Sequence, residues 1–305
     1  MDANLVGETA AILTSCLWTF NSLLFASAGK RIGSFSVNAY RIIIAVGLLA
    51  VAHTILQGTL LPAITSEQWF WIGMSGIVGL GIGDFGLFSA FVIIGPRRSV
   101  LVMALSPIFA SAAAYLMLGE IISPLAIVGI AMTLAGITLA ILEREEHSKE
   151  ELIPKRAKAW GVFLASVGAT GQGVGLVLAK KGIYLDLNMI VNPLSAALAR
   201  MVMGALFVWI CALVVGKLPE LRKALRNREG IEYTAAGAFV GPFMGVTLSM
   251  VAVIYTQAGV AQTLMSLMPV FIIPVVWVLY RQKTSLRGIL GAVVAVVGVA
   301  VLFLT

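Results

Sequence analysis

The sequence predicts an all-α membrane protein: ten transmembrane helices arranged as two inverted five-helix repeats. Three observations predict it. The composition is too apolar for water: of 305 residues, 60% are hydrophobic and 11% charged, with a mean hydropathy of +1.00. A soluble domain carries about 25% charged residues. In water, the excess apolar surface would cost about 25 cal/mol per Å². The apolar runs have the length that crosses a bilayer as a helix, about 20 residues. Finally, the two halves of the chain match each other at fixed offsets. These features exclude an ordinary soluble enzyme, a nucleic-acid-binding domain and a disordered tail. The net charge of +7 would suit a polyanion partner, but basic residues in a membrane protein mark its cytoplasmic side.

The runs place spans at 8–28, 37–56, 69–91, 99–118, 122–142, 159–180, 192–215, 232–254, 260–280 and 286–304. Barrel strands would alternate polar and apolar residues. Val299-Ala300-Val301-Leu302-Phe303-Leu304 does not alternate, so the spans read as helices. Cys16 and Cys211 lie inside apolar runs and read as small buried hydrophobes, not as a disulfide or metal pair. Ala26-Ser27-Ala28 looks like a signal-cleavage site, but no Lys or Arg precedes it, so a cleaved signal peptide is not expected. The chain divides into a first repeat, 1–142, a charged linker, 143–158, and a second repeat, 159–305. A second polar stretch, Lys217 to Glu232, spaces Leu218, Leu221 and Leu225 three and four apart among basic residues. It reads as a short amphipathic helix on the anionic leaflet.

Orientation follows from the charges. Loops after odd-numbered spans hold 17 of the 21 Lys and Arg residues; the opposite side holds Lys180 and Lys181; Arg41 and Arg200 sit within spans. The positive-inside rule then puts both termini on the non-cytoplasmic side of a plasma (inner) membrane.

The repeat is explicit. A shift of 162 residues places Gly79 on Gly241, Gly83 on Gly245, Met103 on Met265, Pro107 on Pro269, Ser123 on Ser285, Gly129 on Gly291 and Gly136 on Gly298. A shift of 151 places Asn21 on Gln172, and one of 159 places Arg41 on Arg200. Five spans per half is an odd number, so the halves enter the membrane from opposite sides. That is the design of many secondary carriers, with the solute site near the midplane.

The residues resemble a known family. Leu17-Trp18-Thr19-Phe20-Asn21 resembles the signature of EamA-type members of the drug/metabolite transporter superfamily. Gly83-Asp84, Ile94-Gly95-Pro96-Arg97-Arg98, Leu105-Ser106-Pro107 and Leu118-Gly119-Glu120 are similar to the end of that family's first repeat, and Gly129 and Gly136 continue it. The resemblance implies a ten-helix carrier of small organic metabolites, amino acids and related solutes among them, working as an exporter. The second repeat departs from the pattern: Arg281-Gln282 stands where Glu120 stands in the first.

Ionisable groups inside spans are costly and often functional. Asp84 follows the run Gly73, Gly76, Gly79, Gly81, Gly83 and has Val246 as its repeat equivalent. Two readings stand beside each other: a protonatable group lining the solute pathway, or a carboxylate satisfied by Arg97 or Arg41. Arg41 can snorkel to the interface. Arg200 lies deeper and suits ion pairing or an anionic solute group. Asn21 and Gln172 suit either a solute or a helix–helix hydrogen bond. Gln257 and Gln262 are weaker pathway candidates, and Trp18, Phe88 and Trp277 are candidate apolar walls. His53 reads as an interfacial residue. Pro107 and Pro269 each remove a helix hydrogen bond and are candidate hinges; Pro274 adds a break in span nine only.

No phosphate loop, no His-Glu-x-x-His motif and no Cys/His cluster occurs, so no cofactor is expected. The expected partners are a small-molecule solute and the lipid bilayer, with proton or ion coupling open and either a monomer or a homodimer. A membrane-embedded lipid-modifying enzyme would need clustered catalytic groups at one interface. A non-transporting membrane subunit would not need two inverted halves.

Overall fold

A computed structural model describes residues 3–142, 154–272, 275 and 286–304, without the side chains of 96–97 and 140–142. Pro274, Trp277, Arg281, Gln282, Ser285 and most of the 143–158 linker therefore lie outside the described residues. The described chain is helical, with no strand. Helices α1 (Ala3–Ile32), α2 (Ser34–Gln57), α3 (Ser66–Ser75), α4 (Asp84–Met103), α5 (Ser106–Leu118) and α6 (Pro124–Leu142) form the first half. The second holds α7 (Lys155–Ile183), α8 (Pro193–Val214), α9 (Leu218–Ala224), α10 (Arg228–Ala238), α11 (Val246–Tyr255), α12 (Ala258–Met265) and α13 (Leu286–Leu302). Among the described residues, seven stretches are long and apolar enough to cross a membrane, and Pro124–Leu139, Ala258–Ile272 and Leu286–Leu302 are shorter apolar helices. The protein is a multi-pass membrane protein.

Local chemistry sets the ends. Thr65 and Gln68 form a reciprocal capping box at α3, satisfying two donors left free at a helix start. Asn192, followed by Pro193, caps α8. One residue, Gly33 at φ 79°, turns α1 into α2, a backbone region closed to side chains with a Cβ. Several helices run past the sequence limits. The α7 helix begins at Lys155 and not at 159, because Pro154 starts it without needing a donor of its own. The amphipathic segment forms the seven-residue α9, held to α2 by a hydrogen bond from the Tyr40 hydroxyl to the Leu221 carbonyl.

The two halves fold alike at matched offsets. A π-helical segment, Gly76–Gly83, joins α3 to α4, and another, Phe239–Gly245, joins α10 to α11. They coincide under the 162-residue shift. Each half then has a broken helix: the turn at Ala104–Leu105 lies before Pro107, and the turn at Ser266–Leu267 lies before Pro269. Even the hydrogen bonds repeat. Leu105 N–H donates to Val102 O as Leu267 N–H donates to Leu264 O, and Leu105 O accepts from Ile108 and Phe109 as Leu267 O accepts from Val270 and Phe271.

Packing runs between the halves: α1 on α11, α2 on α8, α4 on α7, α5 on α12 and α6 on α13. The contacts are reciprocal. A Cβ at Gly136 would overlap the Gly291 carbonyl, and one at Gly298 would overlap the Gly129 carbonyl. Reciprocity of this kind marks a two-fold interface, here inside one chain. Without a hydrophobic drive in lipid, such close backbone packing carries much of helix association.

Candidate functional site

The candidate site forms where the first π-helical segment meets the second half. Its glycines let three backbones converge. A Cβ at Gly76 would overlap the Arg200 carbonyl, and one at Gly83 would crowd Gly171. Asp84 follows directly and begins α4. It is 5% exposed. Arg41, on α2, binds Asp84 Oδ2 through Nη2 and Asn38 Oδ1 through Nε at 2.9 Å. Gln172, on α7, donates from Nε2 to Asp84 Oδ1 at 2.8 Å and to Gly79 O at 3.3 Å. Arg200, on α8, is 4% exposed, lies against Gly79 and interacts electrostatically with Asp84. Its Nε is buried with no hydrogen-bond partner among the described residues.

Arg41 and Gln172 thus bond the Asp84 carboxylate, and Arg200 lies near it. Phe88 joins them: the Arg41 guanidinium carbon lies 5.4 Å from its ring centre and 5.5 Å from that of Phe25, a cation–π sandwich. Arg41 turns to Asp84, the pairing offered by the second sequence reading of that carboxylate. Its side chain is 13% exposed and ion-paired, because a buried carboxylate within reach offers a stronger partner than a headgroup.

Asn21 and Trp18 occupy the mirror position. The Asn21 carboxamide lies over Gly241 and Trp18 Nε1 over Gly245, as Gln172 bonds Gly79. The remaining polar candidates lie apart from Asp84. Gln257 precedes α12 and donates to Ile121 O at 3.2 Å. Gln262 donates to Ser106 Oγ at 3.1 Å, tying α12 to α5 beside the two helix breaks. His53, near the end of α2, is buried with its ring nitrogens at Thr59 O and Ser195 Oγ and ties α2 to α8. Both cysteines are free and half-buried.

A second polar cluster is not evident from the sequence. Glu120, between α5 and α6, pairs with Lys180 at 2.7 Å, and the two side chains are 15% and 13% exposed. Glu120 Oε2 also accepts from Ala258 N–H at the α12 N-terminus, and Lys180 Nζ donates to Thr256 O at 2.6 Å. A signal for it exists: the charge count of the sequence sets Lys180 and Lys181 apart from the 17 other basic residues outside the spans. At the basic end the cross-half pair is Arg31–Glu229, 2.5 Å apart but 31% and 60% exposed. Among the described residues, no group of three or more His, Cys, Asp or Glu could hold a metal ion.

Duplicated apolar helices crossing at a buried charged cluster define the class of the molecule as a membrane transporter. The particular family follows from comparison with known proteins. The model of the EamA-like transporter family matches residues 5–142 and again 159–304, and the chain belongs to that family. No curated protein matches it. A solved structure described as "Crystal structure of protein" is similar over 99% of this chain and 96% of its own, at 21% identity and a TM-score of 0.75. That likeness supports the fold.

Proposed function

We propose that this protein is a secondary carrier that exports small organic metabolites, amino acids or related solutes, by alternating access. Ten spans form two inverted five-helix repeats, with both termini on the non-cytoplasmic face of the plasma (inner) membrane. The single observation that carries the reading is reciprocity: matched π-helical segments each pack on the opposite half, Gly76–Gly83 on α7 and α8 and Phe239–Gly245 on α1 and α2, and the helix breaks repeat at matched positions. Two like halves of opposite orientation can exchange conformations, which turns a cavity facing one side into one facing the other. Asp84, Arg200, Gln172, Arg41 and Phe88 line the solute pathway, with Asn21 and Trp18 on the mirrored side and Gln257 at its mouth. Pro107 and Pro269 are the hinges. The buried Glu120–Lys180 tie closes the sparsely charged end, and the exposed Arg31–Glu229 pair is the weaker closure opposite it.

The test is counterflow in proteoliposomes, using radiolabelled amino acids as probes. Preloaded solute accelerates uptake through a carrier and not through a channel. Unaccelerated uptake would exclude the carrier, and no uptake would favour a non-transporting subunit. A C-terminal reporter active only in the cytoplasm is expected to be silent; a bright one overturns the orientation.

A further inference from the structure

The charges at the site do not cancel. Arg41, Arg200 and Asp84 sum to +1 in a buried cluster. Both oxygens of Asp84 are engaged: Oδ2 holds Arg41 and Oδ1 holds Gln172. Arg200 retains a buried Nε with no hydrogen-bond partner among the described residues. Arginine stays protonated in proteins. A buried donor left unmade is costly, and a buried charge more so. A neutral oxygen could accept from Nε, but only an anion cancels the net charge of the cluster. Moving Asp84 from Arg41 to Arg200 would only pass the excess to Arg41, which would keep Asn38 Oδ1 and two aromatic faces but no carboxylate.

We infer that the transported solute bears a carboxylate or similarly small monoanionic group, and that Arg200 binds that group while Asp84 holds Arg41. The planar guanidinium matches a carboxylate with two parallel hydrogen bonds, a geometry an ammonium cannot supply. Gly79 lets Arg200 Nη2 lie directly against the π-helical segment, and Gly76 does the same for the Arg200 carbonyl. Asp84 is then a selectivity element: it neutralises one arginine, so the site takes one negative charge and not two. The inference rests on the carrier reading for the word "transported"; the anion site stands without it.

The test uses the full-length protein in detergent and a matched panel of acetate, benzoate, lactate and N-acetyl amino acids, each beside its uncharged amide. A ligand that binds the folded state raises its unfolding temperature with concentration. At least one carboxylate is expected to raise it while its amide does not. In Arg200→Gln the shift disappears. Should Arg200→Gln not fold, Arg200→Lys keeps the charge but loses the fork, and its half-saturating concentration is expected to rise about tenfold. The inference is overturned if no carboxylate shifts the transition, if amides or amines shift it equally, or if the shift survives in Arg200→Gln, or is undiminished in Arg200→Lys where Arg200→Gln does not fold. Counterflow of the stabilising carboxylate separates the two readings. Stabilisation without counterflow keeps the anion site and removes the carrier. Counterflow of amides or amines alone keeps the carrier and removes the anion site.

Discussion

The two π-helical crossings share their geometry and differ in charge. Gly76–Gly83 leads into Asp84, and Phe239–Gly245 leads into Val246. In one crossing a carboxamide and two arginines meet a carboxylate; in the other a carboxamide and an indole lie on bare glycine. Duplication preserved what packing demands, which is room for backbone against backbone. It did not preserve the charge, because a second carboxylate would change the cluster from +1 to neutral. In the proposed carrier, the shared features build the scaffold and the unshared residue sets the charge of the site.

The most direct way to break this comparison is Asp84→Val, which makes the first crossing like the second. It leaves two buried arginines without their carboxylate. Removing one partner of a buried pair costs about 3–5 kcal/mol, so the unfolding temperature in detergent should fall sharply and counterflow should vanish. An unchanged transition would mean that the Arg41–Asp84 pair does not hold the fold. A smaller effect separates the two crossings sterically. Gly76→Ala pushes a methyl into the Arg200 backbone carbonyl, whereas Gly241→Ala meets the end of the Asn21 side chain. Overpacking costs about 1–3 kcal/mol, so Gly76→Ala should lose most of that range and Gly241→Ala little, because a side chain can turn aside. Equal losses would show that Asn21 is as fixed as backbone. The smallest effect on stability is expected at the matched breaks. Pro107→Ala or Pro269→Ala restores a backbone donor and should slow exchange in counterflow severalfold, with a near-normal unfolding temperature. Wild-type exchange rates in both would reduce the prolines to packing.

Much of the site is legible in the chain's polar residues. Asp84, Arg200, Gln172 and Arg41 stand out within apolar runs, and all four meet. Spacing along a helix gives depth in the membrane, and depth suffices to bring residues to one level. It says nothing of which helix lies beside which. Spacing alone therefore leaves Arg97 and Arg41 equal as partners of Asp84, and it does not show that the Gln257 side chain reaches Ile121 O. The Glu120–Lys180 tie is hidden for the same cause. The two residues are 60 positions apart and both stand at span ends, so they read as loop charges until α7 and α12 converge on Glu120.

By itself the sequence determined the solvent, the helical class and the duplication. These depend on composition and period, which are local properties of the chain. Even the axial positions of the π-helical segments and helix breaks follow from glycine and proline at a 162-residue offset. Tertiary structure alone decided the partners. Asp84 faces Arg41 and Gln172, and Arg200 is left with a buried, unmet donor, because lateral packing of glycine-lined helices sets which side chains share a dry space. In such a space one unbalanced charge decides what the site can hold.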